Sequence, residues 1–387
     1  MIAETEPDVP VRSLHELIDR VTGRGFQPPQ SAEPAGLAEA LPFPFLALVG
    51  QTEMKLALML ALINPGVGGV LLIGPRGTGK TTAVRSLIDL LPMVPRSLCY
   101  YGCLPEDVES GGIDAICPDC AKKYAQGEPL VRLDAGRLVE LPLSAALDDV
   151  IGSIDERAEI NARMRLKRGL LSQADRNILY VDEVNLLDSE IVDALLDAAA
   201  QGSYTVRRGF HTATYWSRFI FIGSMNPEEG RLRPQIQDRF GLRIIVHGLG
   251  NQEERLEAYR RVQAYMINPH RVVLDYGLET EYARQEIQVA RELLPRVVIP
   301  DDVAQVGLEL TNRLKIDSLR AEITMFEAAR AYAAAGAHEI VNIDDLKTVS
   351  PMALRLRRSG FMQDYFTQQQ VEENELDQVL EEFFPSL

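Results

Sequence analysis

The sequence predicts an α/β domain, in which a parallel sheet packs between helices, followed by a second domain built of helices alone. Two observations predict this order. Between Pro42 and about residue 250, short apolar runs alternate with helix-like segments, as in parallel βαβ units. After residue 250, helix-like segments follow one another, and no convincing β-rich run interrupts them.

The predicted elements follow from the apolar periodicity of each segment and from the Gly and Pro residues between them. In the first domain we predict strands at residues 69–73, 177–181 and 219–223, and helices at residues 81–90 and 190–199. In the second domain we predict helices at residues 252–267, 281–294, 302–315, 320–335 and 343–356. A β-hairpin is expected just before the strand at 219–223, around Arg207, Arg208 and His211.

Four regions are predicted along the 387 residues. Residues 1–41 form an appendage and linker, because Gly and Pro interrupt them too often for a packed core. Residues 42–250 form the α/β domain, which contains a cysteine insert (residues 99–120), and residues 251–360 form the helical domain. Residues 361–387 form an acidic tail with an amphipathic helical pattern.

The charge balance and the apolar runs exclude two classes of protein. The chain has 40 Lys and Arg residues against 56 Asp and Glu residues, a net charge of −16, which argues against nucleic-acid binding and against a helicase. The longest apolar run, residues 56–63, is much shorter than the roughly 18 residues of a membrane-spanning helix. The acidic N-terminal sequence does not resemble a targeting peptide, so we expect a cytoplasmic protein without a membrane span.

Residues 70–81, VLLIGPRGTGKT, combine an apolar strand with the pattern G-x-x-x-x-G-K-T and a following helix, which is the context of a P-loop. The backbone N–H groups of such a loop and the helix N-terminus face a phosphate. Lys80 would reach the β- and γ-phosphates, and the Thr81 hydroxyl would hold Mg²⁺. The predicted nucleotide-binding residues of this loop are Gly74, Pro75, Arg76, Gly77, Thr78, Gly79, Lys80, Thr81 and Thr82.

Two further strand ends carry polar residues that suit nucleotide hydrolysis. Asp182 and Glu183 follow an apolar strand, where Asp182 would bind Mg²⁺ and Glu183 would act as general base on the attacking water. The alternative is that this pair caps the helix that begins near Asp188. Asn226 follows the next strand and could contact both the γ-phosphate and the water, although Asn-Pro by itself indicates only a turn.

All four cysteines of the chain lie in the cysteine insert, as Cys99, Cys103, Cys117 and Cys120, with the spacing C-x3-C-x13-C-x2-C. Four thiolates in two pairs suit a structural Zn²⁺ with no open position for catalysis. Two alternatives stay open, namely redox or disulfide chemistry at the second pair and cysteines that simply remain reduced.

The chain resembles the AAA+ ATPases and, more narrowly, the family of the ATPase subunit I of magnesium chelatase. The segments that carry the resemblance are FPFLALVGQ at 43–51, GPRGTGKT at 74–81, ILYVDEVNLLD at 178–188, GSMNPEEGRLRPQIQDRFGL at 223–242 and DSLRAEIT at 317–324. The resemblance implies an AAA+ three-layer α/β/α domain followed by an all-helical lid. It covers roughly residues 42–356.

The resemblance also implies roles for individual residues. Lys80 and Thr81 correspond to the Walker A ligands, Asp182 and Glu183 to the Walker B pair, and Asn226 to sensor 1.

Two arginines complete the implied catalytic set. Arg239 resembles an arginine finger that reaches the site of the adjacent subunit, and Arg320 resembles the sensor 2 arginine of the lid. For Arg239 the alternative is a surface ion pair, and for Arg320 it is a charge on a helix surface.

The function that the resemblance implies is that of an ATP-hydrolysing motor, which uses ATP and Mg²⁺ and forms a homo-oligomeric ring, expected to be a hexamer. This motor would drive insertion of Mg²⁺ into protoporphyrin IX in chlorophyll or bacteriochlorophyll biosynthesis. Its implied partners are an AAA+-like subunit with an integrin I domain and a porphyrin-binding subunit. The alternatives are a related AAA+ ATPase that activates another metalloenzyme and a nucleotide-gated binding module without turnover.

Overall fold

A parallel five-stranded sheet organises the first part of the chain in the computed structural model, which describes residues 41–154, 166–208, 211–230 and 232–357. The strands in chain order are β1 (Val70–Ile73), β2 (Met93–Ser97), β3 (Val131–Ala135), β4 (Leu138–Glu140), β5 (Gly152–Ile154), β6 (Leu166–Arg168), β7 (Ile178–Val181), β8 (Ser203–Arg208), β9 (His211–Trp216), β10 (Ile220–Met225) and β11 (Leu242–Ile245). The sheet order is β11-β1-β10-β7-β4, and every pair in it is parallel.

Helices of the first part pack on this sheet or belong to the cysteine insert, and those of the second part follow β11 in the sequence. They are α1 (Thr52–Ile63), α2 (Lys80–Ser86), α3 (Pro105–Gly111), α4 (Pro118–Ala125), α5 (Leu147–Ile151), α6 (Leu170–Gln173), α7 (Ser189–Gln201), α8 (Pro234–Arg239), α9 (Gln252–Ile267), α10 (Pro269–Asp275), α11 (Gly277–Leu293), α12 (Asp301–Arg313), α13 (Leu319–Ala335) and α14 (Ile343–Leu354).

Strand β1 shows why the sheet has helices on both faces. Its four residues are all buried, and alternate side chains of a strand point to opposite faces. Val70 and Leu72 enter a core shared with α1 and with the helices after residue 277. Leu71 and Ile73 enter a second core shared with α7. The predicted three-layer α/β/α arrangement is therefore confirmed.

The parallel register brings the carboxyl ends of three strands to one edge of the sheet. Leu71 of β1 pairs with Gly223 of β10, and Gly223 pairs in turn with Val181 of β7. The loops that leave β1, β7 and β10 therefore start side by side. These are the loops that contain the P-loop residues, the Asp182–Glu183 pair and Asn226.

The second part of the chain contains no named strand among its described residues, and the predicted all-helical lid is confirmed. The five predicted helices correspond to α9, α11, α12, α13 and α14, with ends that differ by a few residues. The short helix α10 was not predicted. The lid and the α/β layers share one core, because Leu58 of α1 and Met325 of α13 belong to the same buried cluster.

Among the described residues, three antiparallel strand pairs stand apart from the central sheet. The predicted hairpin is present as β8 paired with β9, and β2 pairs with β3 on either side of the cysteine insert. The third pair joins β5 and β6. None of the described helices combines the length and the apolar character needed to cross a membrane. The predicted appendage, except for its last residue, and the acidic tail lie outside the described residues.

Candidate nucleotide-binding site

The P-loop connects β1 to α2 at the carboxyl edge of the sheet. Gly79 has a φ of 84°, a left-handed conformation that strains any residue with a Cβ atom. At Gly74, a Cβ atom would lie 2.2 Å from the Val246 carbonyl oxygen. Both glycines are therefore required by the path of the loop, which ends at the exposed N–H groups of the first turn of α2.

A cavity of about 260 Å³ lies between the P-loop and the ends of β7 and β10. Ten of its lining residues belong to the predicted site, and Ser224 and Met225 complete it. The full lining is Arg76, Gly77, Thr78, Gly79, Lys80, Thr81, Thr82, Asp182, Glu183, Ser224, Met225 and Asn226. The structure thus brings residues from three separate segments of the sequence to one polar cavity.

Lys80 lies at the base of the loop with only 8% of its surface exposed. Its Nζ donates hydrogen bonds of 2.7 Å to the carbonyl oxygens of Gly74 and Pro75. Burial lowers the pKa of Lys80, whereas the negative charges of Asp182 and Glu183 raise it, and the net shift is downward. The amine is thus held within the loop, where phosphate oxygens could take over its hydrogen bonds.

Asp182 and Thr81 form the pair of oxygen donors that a Mg²⁺ site needs. The Thr81 hydroxyl donates to Asp182 over 3.1 Å, and the Tyr180 hydroxyl donates to the other carboxylate oxygen over 2.9 Å. Ser224 also donates to Asp182. Burial raises the pKa of Asp182, but the hydrogen bonds from Ser224, Tyr180 and Thr81 outweigh it and lower the pKa, so the carboxylate is charged at neutral pH.

Glu183 occupies a strained position beside Asp182. Its φ is 54°, a left-handed value that is rare outside glycine and is found most often at functional sites. Its backbone N–H donates to the Ser224 hydroxyl over 3.2 Å, and its carboxylate lies 3.4 Å from the Arg76 guanidinium, which also binds Glu229. Its side chain makes no capping hydrogen bond to the turn that follows. The N-cap residue of α7 is Asp188, also without a side-chain capping hydrogen bond, so the structure does not show the Asp182–Glu183 pair as the cap of that helix.

Asn226 forms the turn that its sequence indicates, and its side chain also lines the cavity, while its contact with a phosphate and a water stays a prediction. Its side-chain oxygen accepts a 3.3 Å hydrogen bond from the N–H of Glu228, which forms the turn that Asn-Pro indicated. The same side chain is 4% exposed and lines the cavity. The turn therefore holds the Asn226 amide in the same cavity as the P-loop residues.

Arg239 lies at the end of α8, and it does not line the cavity. Its guanidinium lies 2.8 Å from an Asp197 oxygen and 3.7 Å from an Asp193 oxygen, both on α7. Within the described part of the chain, Arg239 thus forms the surface ion pair of the alternative interpretation, although with α7. The role of a finger in a neighbouring subunit stays a prediction about an assembly.

Arg320 lies in the first turn of α13 and is exposed. It does not line the cavity. Its charge acts weakly on Asp238 and Arg357, whose pKa values depend mainly on burial and on the hydrogen bond between these two residues. The sensor 2 role also stays a prediction.

The sequence did not point to Tyr180 and Ser224, which hold the Asp182 carboxylate. Tyr180 was counted only as part of an apolar strand, and Ser224 lies one residue beyond the predicted end of its strand. In the structure β10 continues to Met225, so Ser224 lies within the strand and faces Asp182 across the gap between β10 and β7.

The four cysteines, none of which lines this cavity, also converge. Their Sγ atoms all lie within 4.8 Å of one another, and no disulfide joins any of them. Cys103, Cys117 and Cys120 are buried, whereas Cys99 is partly exposed.

Comparison with known proteins assigns the family. A family model described as magnesium chelatase, subunit ChlI, matches residues 148–247, and an AAA lid domain model matches residues 308–379. A magnesium-chelatase subunit ChlI homolog of Methanocaldococcus jannaschii is 42% identical over 88% of this chain and 91% of its own length. The chain belongs to the magnesium-chelatase subunit ChlI family.

Other members of the ChlI family match a similar share of the chain. The magnesium-chelatase 38 kDa subunit of Acidiphilium rubrum is 40% identical over 81% of this chain and 90% of its own length. Among solved structures, a Cytophaga hutchinsonii protein has the same fold, with a TM-score of 0.53, 19% identity and coverage of 86% of this chain and 91% of its own. Membership of the ChlI family supports the use of ATP and Mg²⁺ and a role as the ATPase of a chelatase.

Proposed function

We propose that this chain is the ATP-hydrolysing motor of a magnesium chelatase, and that it drives the insertion of Mg²⁺ into protoporphyrin IX for chlorophyll or bacteriochlorophyll synthesis. The observation that carries the proposal is the cavity at the carboxyl edge of the sheet, where a P-loop lysine, two carboxylates and an amide meet. The names of the ChlI relatives supply the chelatase context.

Each residue of the cavity has a separate task in the proposal. The P-loop N–H groups and Lys80 bind the β- and γ-phosphates of ATP, and Thr81 with Asp182 binds Mg²⁺. The bound Mg²⁺ neutralises charge on the phosphates. Glu183 takes a proton from the attacking water, and the Asn226 amide orients that water.

In the proposal, Arg76 also controls the Glu183 carboxylate. Its guanidinium, 73% exposed, lies 3.4 Å from the Glu183 carboxylate and also binds Glu229. Because Arg76 belongs to the P-loop, a triphosphate in the cavity would compete with Glu183 for the same guanidinium. Nucleotide binding would then free Glu183 to act as a base.

The remaining parts of the proposal concern the assembly. Arg239 reaches the nucleotide of the neighbouring subunit, which requires head-to-tail contacts and a closed ring, expected to be a hexamer. Arg320 reaches the nucleotide when the lid, residues 251–360, closes. The ring acts on an AAA+-like subunit with an integrin I domain and on a porphyrin-binding subunit.

The experiment is an assay of Mg-protoporphyrin formation by fluorescence, with ATP, Mg²⁺, protoporphyrin IX and the other two chelatase subunits. Product should form only when this chain and ATP are both present. A Lys80→Ala chain should form none, whereas a chain with a substitution at an exposed residue of the lid, Glu309→Gln, should match the unchanged protein.

Two other outcomes would replace the proposal. ATP turnover without Mg-protoporphyrin formation would favour a related AAA+ ATPase that serves another metalloenzyme. ATP binding without turnover in assembled protein would favour a nucleotide-gated binding module.

A further inference from the structure

The cysteine insert has very little apolar core of its own. Besides its cysteines, the buried members of its hydrophobic cluster are Ile116 and Leu130, which follows the insert in the sequence. A few partly buried side chains, such as Val108, pack against them. Burial of so few apolar side chains offsets only a small part of the entropy lost when such a segment becomes ordered. Segments of this kind are usually stabilised by a disulfide or a metal.

The positions of the sulfur atoms fit a single metal ion. Four thiolates about 2.3 Å from a tetrahedral Zn²⁺ lie about 3.8 Å from one another. Here all four Sγ atoms lie within 4.8 Å of one another, and those of Cys99 and Cys117 are 3.5 Å apart. A disulfide requires about 2.0 Å, and a cluster of several iron atoms spreads its four thiolates farther apart than one ion does.

Backbone N–H groups donate hydrogen bonds to three of the four sulfur atoms, which favours the thiolate form. The N–H of Tyr101 donates to the Cys99 sulfur over 3.3 Å, and the N–H of Cys117 donates to the Cys103 sulfur over 3.3 Å. The N–H of Cys120, in the first turn of α4, donates to the Cys117 sulfur over 3.4 Å. Such donors orient the ligands of metal sites and stabilise their negative charge.

We propose that the four cysteines hold one structural Zn²⁺, and that this ion keeps the cysteine insert folded so that α3 can anchor the amino ends of β7 and β10. Four protein ligands leave no open coordination position, so the ion takes no part in catalysis. The cysteines belong to the insert alone, and the ion therefore stabilises the segment locally.

The anchoring contacts start one turn after Cys103. Glu106 of α3 binds both Arg176, two residues before β7, and Arg218, two residues before β10. The neighbouring Asp107 accepts a 3.1 Å hydrogen bond from the indole N–H of Trp216. A fixed α3 therefore holds the starts of two strands whose other ends carry Asp182, Glu183 and Asn226.

The first test measures metal in the full-length chain, purified without chelators from cells grown with added zinc. Elemental analysis should find about one Zn²⁺ per chain. The four thiols should react with a thiol reagent slowly in the native chain, and all four should react once the chain is unfolded in the presence of a chelator that takes up the ion. Replacement of zinc by Co²⁺ should give the visible absorption of a tetrahedral tetrathiolate site.

The second test uses variants. Cys117→Ser should lose most of the zinc, and its insert should be cut much faster by protease, while MgATP affinity should change by less than about twofold because the cavity lies at the other end of the sheet. The chain has no cysteine outside the cluster, so the control is Ser110→Ala, an exposed hydroxyl of the same insert, which should keep about one Zn²⁺.

Several results would overturn the proposal. These are the absence of metal from the unchanged protein, iron in the place of zinc, four thiols that react at once in the native chain, or a Cys117→Ser chain that retains its zinc. The Co²⁺ spectrum is measured on the unchanged chain, so the proposal can still fail if the variant does not fold.

Discussion

The two ends of the central sheet are built in opposite ways. At the carboxyl ends of β1, β7 and β10, the polar groups surround a cavity of about 260 Å³, and partners such as the carbonyl oxygens bound by Lys80 can be exchanged for those of a ligand. At the amino ends of β7 and β10, the polar groups bind one another, since Glu106 is shared by Arg176 and Arg218. The first end is arranged to bind a ligand, whereas at the second the charged groups satisfy one another.

The residues proposed for ATP hydrolysis and the residues that stabilise the sheet therefore lie at opposite ends of the same strands. A strand such as β7 has Arg176 before its first residue and Asp182 directly after its last. Changes at the carboxyl end should therefore alter turnover with little effect on stability, whereas changes at the amino end should alter stability with little effect on turnover. The predictions below test both halves of this statement.

The largest effect is expected at Glu183. Glu183→Gln removes the general base but keeps the phosphate-binding loop and Asp182, so ATP turnover should fall by about 10² or more while MgATP binding is retained. The free energy of unfolding should stay within about 0.5 kcal/mol of the unchanged protein, because the residue is partly exposed and strained. Steady-state turnover, nucleotide titration and chemical denaturation measure the three quantities.

The matched control for this change is Glu190→Gln, an exposed carboxylate in the first turn of α7. It should leave turnover unchanged. Full hydrolysis by Glu183→Gln would remove that residue from its role as a base.

The local part of this site could be predicted from the sequence. A glycine-rich loop between an apolar strand and a helix, and a polar residue directly after an apolar strand, are patterns within a few neighbouring residues. They predicted Lys80, Asp182 and Glu183 as residues of one site, whereas at Asn226 the local pattern indicated only a turn, and all four line the cavity. The Tyr180 and Ser224 hydrogen bonds to Asp182 could not be predicted, because they depend on the register of β7 against β10.

The same limit applies to the fold. Strand β11 was not predicted because Arg243, in the middle of an apolar run, looks like a surface residue. In the structure it is 1% exposed, and its guanidinium binds Asp238 over 3.2 Å. Strand β4 has only three residues, Leu138–Glu140, which is too short for a period of two to be visible. Both strands lie at the edges of the sheet.

The second prediction asks whether the carboxyl end is complete in one chain. A Lys80→Ala chain lacks its own site but offers Arg239, whereas an Arg239→Ala chain has a normal P-loop but offers no finger. Each alone should be nearly inactive. In an equal mixture with free subunit exchange, about one quarter of the interfaces should join an intact P-loop to an intact finger, and turnover should reach about that fraction of normal.

ATP turnover across a titration of one variant into the other, with assembly checked by sedimentation, measures the rescue. Turnover should be highest at equal amounts. Background turnover at every ratio in fully exchanged rings would mean that Arg239 acts only through the ion pairs with Asp193 and Asp197.

The third prediction concerns the amino end. Glu106→Gln removes a charge shared by two guanidinium groups and should lower the free energy of unfolding by about 1 kcal/mol, with turnover changed by less than about twofold. Burial raises the pKa of Glu106, but hydrogen bonds from Arg176 and Arg218 outweigh it and hold the pKa below its ordinary value of 4.5. The difference in the free energy of unfolding between the variant and the original protein should therefore be complete above pH 4.5. It should disappear as the pH falls through the lowered pKa, where Glu106 becomes protonated in the folded protein as well.

Denaturation at a series of pH values checks this expectation. The control is Glu109→Gln, an exposed carboxylate on the same helix, which should change the stability little at any pH. A loss of turnover as large as the one expected for Glu183→Gln would show that the two ends are not separate.

The smallest effect is expected at Trp216, the only tryptophan of the chain, which reports on the amino end without a catalytic assay. Its indole N–H binds Asp107, and the guanidinium carbon of Arg218 lies 4.5 Å from its ring centre. Asp107→Ala removes this hydrogen bond and one that caps α3, so Trp216 should become more mobile and its fluorescence emission should shift slightly to longer wavelength. Ser110→Ala on the same helix should leave the emission unchanged.

MgATP added to the protein without substitutions should not shift the Trp216 emission, because the nucleotide cavity is at the opposite end of β7 and β10. A nucleotide-induced shift as large as that of Asp107→Ala would mean that ligand binding moves the anchoring end, and the two ends would then have to be described as one coupled unit.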